Sequence, residues 1–260
     1  MNIEGTRASA GGKLPVWLAR TLLAPSTAAS APCETCPVRE LCLPGGLDET
    51  GMRALQGLFI GPRRLRKGQK LYREGEPFLT LYAVRFGTFK SSFPLADGGE
   101  HVSAFHLAGD IMGFDGLADG RHPSTATALE HAEACSIPYA RLAEACLQSE
   151  TLRKRVAQLM GRQLVREYLV TKLVAHRHTE ERVAGFLLQL AQWMRERGYS
   201  TREFQLRMSR ADIGSYLGTT LETVSRTLSL FSRLGHIRVH SRHIELVDLD
   251  ALHAYVNRRP

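Results

Sequence analysis

The sequence predicts an α+β protein in which an N-terminal β-roll is followed by a long helix and a C-terminal winged helix-turn-helix. Three observations predict this order. Glycines punctuate residues 62–140 at short intervals, between stretches with the composition of strands. Residues 151–175 contain no proline and carry apolar residues at helical spacing. Residues 209–234 have the pattern of a helix, a glycine turn and a second helix.

The N-terminal segment, residues 1–31, is rich in Ala, Ser, Gly and Pro, and we predict that it is a disordered tail. Its apolar stretch Leu14–Ala24 resembles part of a secretory signal, but Arg20 interrupts the stretch and no basic cluster precedes it. We therefore expect no cleaved signal. Because no uninterrupted apolar run is long enough to cross a bilayer, we also expect a cytoplasmic location without membrane association.

A cysteine loop is predicted over residues 33–46, where Cys33, Cys36 and Cys42 lie close together, and Cys135 follows much later. The chain has five cysteines, and this odd number argues against a disulfide scaffold. Thiolates bind zinc and iron–sulfur clusters, so the pattern predicts a metal centre. Zinc sites usually show two close cysteine pairs and this loop has one, but zinc stays an alternative for the three loop cysteines.

A short helix is predicted over residues 48–58, and the strands of the roll follow it. Residues 79–84 have the alternating pattern of a strand. Asp97-Gly98-Gly99 predicts a hairpin turn between strands at 89–93 and 102–106, because aspartate and glycine favour tight turns.

The long helix carries an apolar stripe at alternating steps of three and four residues, which is the seam spacing of a coiled coil. A second apolar face could pack on the roll. A helix with two apolar faces is often simply buried, but beside a helix-turn-helix we favour a dimer seam. The carboxylate of Glu167 interrupts the seam, so two copies would face each other and repel. The seam comprises Ala157, Met160, Leu164, Glu167, Thr171 and Val174, and the second face comprises Val156, Leu159, Val170 and Leu173.

The helix-turn-helix has clear start and stop signals. Ser209 and Asp212 form a capping-box pair that begins the first helix. Gly218 can adopt the left-handed conformation that ends this helix, and Thr219 or Thr220 then caps the second helix.

The second helix of this motif has an apolar face and a polar face. Three of its polar residues, Glu222, Ser225 and Arg226, lie in the first two turns, where a recognition helix contacts base edges. Glutamate can accept from cytosine N4, and arginine can donate to guanine O6 and N7. The alternatives are that Glu222 caps Thr219 and that Arg226 contacts a phosphate or only solvent. Residues 237–240 and 243–247 predict a β-wing. Leu221, Val224 and Leu228 form the apolar face, Glu222, Ser225, Arg226 and Ser229 the polar face, and Ser209 and Thr220 are further candidate DNA contacts.

Charge is unevenly distributed along the chain. Residues 1–150 contain 15 Lys and Arg and 16 Asp and Glu, whereas residues 151–260 contain 19 and 10. A basic second half is typical of a nucleic-acid binder, although a solvated basic surface would have the same composition. We therefore predict a cysteine-loop and roll domain over 32–150, a dimerisation helix over 151–178 and a DNA-binding domain over 179–260.

A set of short motifs is distributed over about residues 33–250. They are Cys33-x2-Cys36-x5-Cys42, Phe105-His-Leu-Ala-Gly-Asp110, Gly113-Phe-Asp115, His122-Pro-Ser124, Cys135-x-Ile-Pro138, Glu180-Glu-Arg182, Arg202-Glu-Phe204, Asp212-Ile-Gly214 and Leu221-Glu-Thr-Val-Ser-Arg226. Together they closely resemble the oxygen-sensing fumarate-and-nitrate-reduction (FNR) regulators, a branch of the cyclic-AMP receptor protein superfamily.

This resemblance implies a jelly-roll sensor, a long dimer helix and a winged helix that binds inverted repeats with half-sites like TTGAT. It also implies a [4Fe-4S] cluster that oxygen degrades, after which the dimer falls apart. We expect the cysteine loop to pack near the long helix, and the hairpin over residues 94–99 corresponds to one that touches RNA polymerase in relatives. Cys146 matches nothing in the family pattern and is predicted to be structural. The implied cluster ligands are Cys33, Cys36, Cys42 and Cys135.

Other readings stay open on the sequence alone. A cyclic-nucleotide sensor of the same fold needs an acid and an Arg-Ser/Thr pair for the phosphate, and here the acid is Asp110 and the pair is Pro123-Ser124, without the arginine. A heme or nitric-oxide sensor could use His106 and His122 as iron ligands, although a lone histidine is more often structural. A ferredoxin-like electron carrier would not need the helix-turn-helix, and no nucleophile–base pair or phosphate loop indicates an enzyme.

Overall fold

The roll is built from eight strands within the residues that the computed structural model describes, which are 33–96, 98–176 and 178–257. The strands are β1 (Ile60–Leu65), β2 (Lys70–Tyr72), β3 (Thr80–Phe86), β4 (Phe89–Pro94), β5 (Glu100–His106), β6 (Ile111–Met112), β7 (Thr125–Ala128) and β8 (Ala132–Pro138). They form two four-stranded antiparallel sheets, with the orders β1-β8-β3-β6 and β2-β7-β4-β5. The predicted tail over residues 1–31 lies outside the described residues.

Strand β3 has a core on each of its faces. Tyr82 and Val84 pack inside the roll, whereas Leu81 and Ala83 pack in a second core with residues of the cysteine loop. All four side chains are buried, so the strand does not alternate between buried and exposed residues over this stretch. The predicted strand is confirmed, and its second core exists because the cysteine loop covers the outer face of this sheet.

The hairpin that joins β4 and β5 lies where the glycines predict it. The Leu95 N–H donates to the Gly99 carbonyl at 2.9 Å and closes the turn. Gly98 has a φ of 82°, a left-handed conformation that favours glycine. Asp97, the first residue of the predicted turn, lies outside the described residues.

A short helix, α1 (Glu49–Leu55), follows the cysteine loop. Asp48 caps its start and accepts a hydrogen bond from the Gly51 N–H at 2.7 Å. The helix ends before the predicted position at Leu58, because Gln56 is extended and Gly57 has a left-handed φ of 76°.

Three helices follow the roll: α2 (Tyr139–Gln148), the long helix α3 (Glu150–Val174) and α4 (Thr179–Glu196). The long helix begins close to its predicted start because Ser149 caps it, accepting a hydrogen bond from the Leu152 N–H at 3.3 Å. It ends at Val174, before the predicted boundary at 178.

The C-terminal residues form the winged helix-turn-helix. Its elements are β9 (Glu203–Gln205), α5 (Arg210–Tyr216), α6 (Leu221–Arg233), β10 (Ile237–His240), β11 (His243–Leu246) and α7 (Leu249–Val256). The two predicted wing strands are confirmed, and β9 extends them to a three-stranded sheet in which Phe204 pairs with Ile244. Both side chains are buried, so the added strand closes the core of this domain.

The roll and the winged helix share a hydrophobic core. The Phe105 ring of β5 lies 4.9 Å from the Tyr216 ring of α5 and 6.2 Å from the Phe186 ring of α4, measured between centroids. Ser215 adds two hydrogen bonds, because its hydroxyl donates to the Glu100 carbonyl and accepts from the Val102 N–H. The first helix of the helix-turn-helix therefore packs directly on the sensor domain.

Candidate cluster site and nucleic-acid interface

The cysteine loop is a series of tight turns held by its own backbone. It begins with a 3-10 turn at Cys33–Thr35, and the Cys42 N–H donates to the Val38 carbonyl at 3.1 Å. Cys42 and Leu43 are buried and belong to a core that also contains Leu152 from the long helix. The prediction that the loop packs near the long helix is confirmed.

Cys135 comes to this loop from strand β8. Its Cα pairs with that of Ala83, and both side chains belong to the core on the outer face of the sheet, together with Cys42. Burial raises the pKa of the Cys135 thiol to about 11, and the nearby Arg85 charge opposes the rise. The tertiary fold therefore brings the distant cysteine to the loop.

Cys42 interacts electrostatically with the other three cysteines that the family pattern selects. Burial raises the pKa of the Cys42 thiol to about 12, and Cys33, Cys135 and Cys36 add to the rise. Cys36 also contributes to the raised pKa of Cys135. Cys146, on α2, differs: burial raises its pKa, Arg153 opposes the rise, and no other described cysteine contributes.

The helix-turn-helix folds through the local signals in its sequence. The Ser209 hydroxyl accepts from the Asp212 N–H at 3.0 Å, and Asp212 in turn accepts from the Ser209 N–H at 2.9 Å. Gly218 has a φ of 62° in the turn. Thr220, and not Thr219, caps the second helix by accepting from the Thr223 N–H at 3.2 Å.

The polar face of α6 is open to solvent. Glu222, Arg226 and Ser229 are exposed and Ser225 is half-buried, whereas Val224 and Leu228 are buried. The prediction that Leu221 faces inward is wrong, since its exposed fraction is 44%. Leu221 is the first residue of the helix and precedes the turn at which the helix meets the domain core.

Glu222 is held at the start of α6. Hydrogen bonds from its own backbone N–H and from the Thr220 hydroxyl lower the pKa of this carboxyl below its ordinary value. The carboxylate therefore stays ionised next to the positive end of the helix dipole. Its partner is Thr220 and not Thr219, and the carboxylate stays accessible as an acceptor for a base.

Comparisons with known proteins identify the family. A model of a Crp-like helix-turn-helix domain matches residues 181–255, and a cyclic nucleotide-binding domain model matches residues 62–149. Two relatives are the fumarate and nitrate reduction regulatory proteins of Salmonella typhimurium and Escherichia coli K12. Each is 38% identical to this chain over a match that covers 85% of its length, and the matches cover 89% and 88% of the two relatives. The chain belongs to the FNR family. It is a DNA-binding transcription regulator and not an enzyme.

Solved structures agree with this family. FixK2 from Bradyrhizobium japonicum is 30% identical with a TM-score of 0.69, and the match covers 76% of this chain and 98% of that chain. A CooA mutant from Carboxydothermus hydrogenoformans is 21% identical with a TM-score of 0.63, covering 76% of this chain and 88% of that chain. At 21% identity, the match to the CooA mutant shows that the two chains share a fold.

The thiols of the four cysteines that match the FNR pattern suit an iron–sulfur cluster. Free thiols with raised pKa values are neutral at neutral pH, and a bound metal supplies the positive charge that holds thiolates. In a [4Fe-4S] cluster each of four thiolates binds a different iron. In the described ranges, no group of three or more His, Cys, Asp and Glu side chains is arranged to hold one metal ion. The four cysteine thiols fit the cluster chemically.

The predicted seam of the long helix is exposed in the single chain. Ala157, Met160, Leu164, Glu167 and Thr171 are exposed, and Val174 is half-buried. The sequence interpretation missed three further exposed apolar residues on this helix, which are Val165, Tyr168 and Leu169. A broad apolar surface is therefore available for a second copy.

The second apolar face of the long helix packs on two partners. Val156 and Leu159 join the core of the cysteine loop and the roll, as predicted. Val170 and Leu173 join the core that the roll shares with the winged helix, which also contains Phe105. The prediction that this face packs on the roll holds for the first half. The second half packs in a core that the roll shares with the winged helix, and there Leu173 also contacts Gly185 of α4, which folds back against the end of the long helix.

The residues considered for a cyclic-nucleotide phosphate are occupied by interactions within the protein. The Ser124 hydroxyl donates to the Asp115 carboxylate at 2.6 Å, so a phosphate here would meet a negative charge. Asp110 lies elsewhere: its carboxylate accepts from Arg166 at 2.7 Å and from Arg197 at 2.8 Å. It joins the roll to the long helix and to α4, and these contacts do not resemble a nucleotide site.

The two histidines considered as heme ligands are also engaged. His106 is buried, and its Nε2 lies 2.8 Å from the Ser91 hydroxyl. His122 is buried, stacks on Tyr72 at 3.9 Å between ring centroids and pairs with Asp115 at 3.3 Å. Both histidines therefore have structural roles in the roll.

Burial of His106 predicts acid sensitivity of the fold. Burial lowers the pKa of His106 from 6.5 to about 4. The unfolded chain therefore takes up a proton on this histidine more readily than the folded protein does. The contribution of neutral His106 to stability is complete above pH 6.5 and is lost as the pH falls towards 4. At 1.36 kcal/mol per pKa unit, the free energy of unfolding should fall by about 2–3 kcal/mol through this group between pH 7.5 and 4.5. Urea unfolding of the cluster-free protein measures this change.

His106→Gln should show less of this pH dependence than the wild-type protein, because glutamine stays neutral. His243→Gln, at an exposed position, is the matched control and should keep the wild-type dependence. An unchanged pH dependence in His106→Gln would show that other groups govern acid unfolding.

The sequence interpretation missed two arginines at the cysteine site. Arg85 donates to Glu133 at 2.6 Å beside Cys135. Arg155, on the long helix, donates to carbonyl groups of the cysteine loop. Arg155 could have been found, because it shares a helix face with Leu152 and Leu159, where an apolar residue is expected.

Proposed function

We propose that this FNR-family regulator responds to oxygen through a [4Fe-4S] cluster held by the thiolates of Cys33, Cys36, Cys42 and Cys135. The observation that carries the proposal is that Cys42 of the loop and the distant Cys135 share one core beside the long helix. A bound cluster supplies a centre that reacts with oxygen. The chain itself supplies four thiolates, a loop whose buried half excludes water, and a direct contact between that loop and the long helix.

The proposed output is DNA binding by a cytoplasmic homodimer. The exposed seam of the long helix supports dimerisation, and regulators of this family dimerise. Two recognition helices related by a dyad would contact half-sites about 34 Å apart on DNA. We propose inverted repeats with half-sites like TTGAT as the target, and the hairpin over residues 94–99 as a contact for RNA polymerase.

Purification without oxygen tests the proposed cofactor. We expect a broad iron–sulfur absorbance band, about four irons and four sulfides per chain, and loss of the band in air. A Soret band would support heme, zinc without iron would support a zinc site, and either result would contradict the proposal. Binding to a labelled TTGAT inverted repeat should be tight for the anaerobic protein and weak after exposure to air.

Glu222→Ala should relax discrimination at one base pair of the half-site. The exposed carboxylate at the start of α6 can accept from a cytosine N4, and loss of such a contact reduces discrimination by about 1–3 kcal/mol. Anisotropy titrations on the consensus repeat and on singly substituted repeats measure the effect. Ser229→Ala, at the far end of the same face, is the matched control. Equal weakening on all sequences would show that Glu222 only caps the helix.

A further inference from the structure

Arg155 is a buried cation on the long helix. Its exposed fraction is 6%, and it lies between Leu152 and Leu159 on the face that packs against the cysteine loop. A buried charge is costly unless it is paired or fully hydrogen-bonded. Its position therefore requires strong partners nearby.

The partners of Arg155 are backbone carbonyl groups of the cysteine loop. Its Nη2 donates to the Cys42 carbonyl at 2.7 Å and to the Glu40 carbonyl at 2.7 Å, and its Nε donates to the Cys42 carbonyl at 3.0 Å. A Cβ at Gly45 would lie 2.5 Å from Nη2, so the loop closes tightly around the guanidinium. The planar fork of arginine presents its donors to the two carbonyls in a fixed arrangement, whereas the ammonium of lysine is a compact charge on a flexible stem.

No carboxylate in the described residues forms an ion pair with Arg155. The positive charge is met by the carbonyl dipoles, while burial lowers the pKa of Arg155 and the charges of Cys42 and Glu40 oppose that change. The guanidinium therefore depends on the folded loop for its stability. Conversely, the carbonyls of Glu40 and Cys42 depend on the long helix for their partner.

We propose that Arg155 is the positioning residue that couples the cysteine loop to the dimer seam. Its guanidinium holds the loop through the carbonyls of Glu40 and Cys42, and its backbone lies just before Ala157 and Met160 in the seam. Rearrangement of the loop removes these acceptors, so the first turns of the long helix must move to relieve an unpaired buried charge. The proposal rests on the proposed function, because the loop rearranges when its cluster is lost.

The test uses Arg155→Leu and Arg155→Lys in the full chain. The control is Lys154→Leu, which removes one positive charge from the neighbouring position, where Lys154 is exposed and pairs with Glu150 at 2.7 Å. Circular dichroism melting checks the fold of each variant. Two properties are measured: amide hydrogen exchange of residues 36–47 in anaerobically purified, cluster-loaded protein, and the ratio of dimer association constants without and with exposure to air.

We expect loop exchange to rise at least about tenfold in Arg155→Leu, less in Arg155→Lys, and not in Lys154→Leu. The ratio of dimer association constants should fall about tenfold in Arg155→Leu, within the usual range of coupling between sites. The proposal would be overturned if both Arg155 variants kept the wild-type rate of loop exchange, or if both kept the wild-type ratio of dimer association constants. Loss of the cluster in these variants without faster loop exchange would also overturn it. A wild-type protein that binds no cluster would instead contradict the proposed function.

Discussion

Replacing any one of Cys33, Cys36, Cys42 and Cys135 with serine should abolish the cluster, whereas Cys146→Ser should retain it. Each of the four thiolates supplies the protein bond to one iron, and a hydroxyl is a poor substitute for a soft thiolate. The Cys42 thiol interacts with the other three, whereas the pKa of Cys146 responds to Arg153 and to no other described cysteine. Iron and sulfide content and visible absorbance after anaerobic purification measure the outcome.

Cys146→Ser is the matched control for this series, since it removes a partly buried thiol from the same core. It should keep full iron content and cluster-dependent DNA binding. Loss of iron in Cys146→Ser together with full iron in Cys135→Ser would show that the ligand assignment is wrong. Zinc in place of iron in the wild-type protein would contradict the cluster itself.

Glu167→Ala should dimerise and bind DNA even in air. Glu167 is exposed, and its carboxylate accepts only a 3.3 Å hydrogen bond from Gln163 among the bonds described for its side chain. Across a seam, two such carboxylates at about 8 Å and an effective dielectric constant of 20 would repel by about 2 kcal/mol. Removal of this repulsion should strengthen the dimer roughly 30-fold. Analytical ultracentrifugation of the aerobic protein measures the dimer fraction.

Glu150→Ala is the control for the loss of a carboxylate on the same helix. Glu150 is exposed, lies at the helix start and pairs with Lys154, outside the seam. The Glu150→Ala variant should be as monomeric in air as the wild-type protein. If Glu167→Ala also stays monomeric in air, charge repulsion has no part in the switch, and the geometry of the seam alone must explain it.

Local signals in the sequence were sufficient for the helix-turn-helix, the hairpin and the start of the long helix. Capping by Ser209, the left-handed Gly218 and the turn at Gly98 depend on residues within a few positions of one another. Because these interactions are short-range, the sequence around each of them is enough to predict it. The four cysteines were selected by the family pattern, which carries information that spacing alone does not.

Tertiary packing decided the features that depend on distant residues. Strand β3 is buried on both faces because the cysteine loop covers it, and this cannot be read from the strand. Leu173 packs on α4 because that helix folds back, whereas Leu159 packs on the roll. Arg155 finds its carbonyl partners in a loop more than a hundred residues earlier in the chain. Burial and hydrogen bonding across such separations depend on how the elements are placed, so a periodic sequence pattern predicts which faces are apolar but not what they contact.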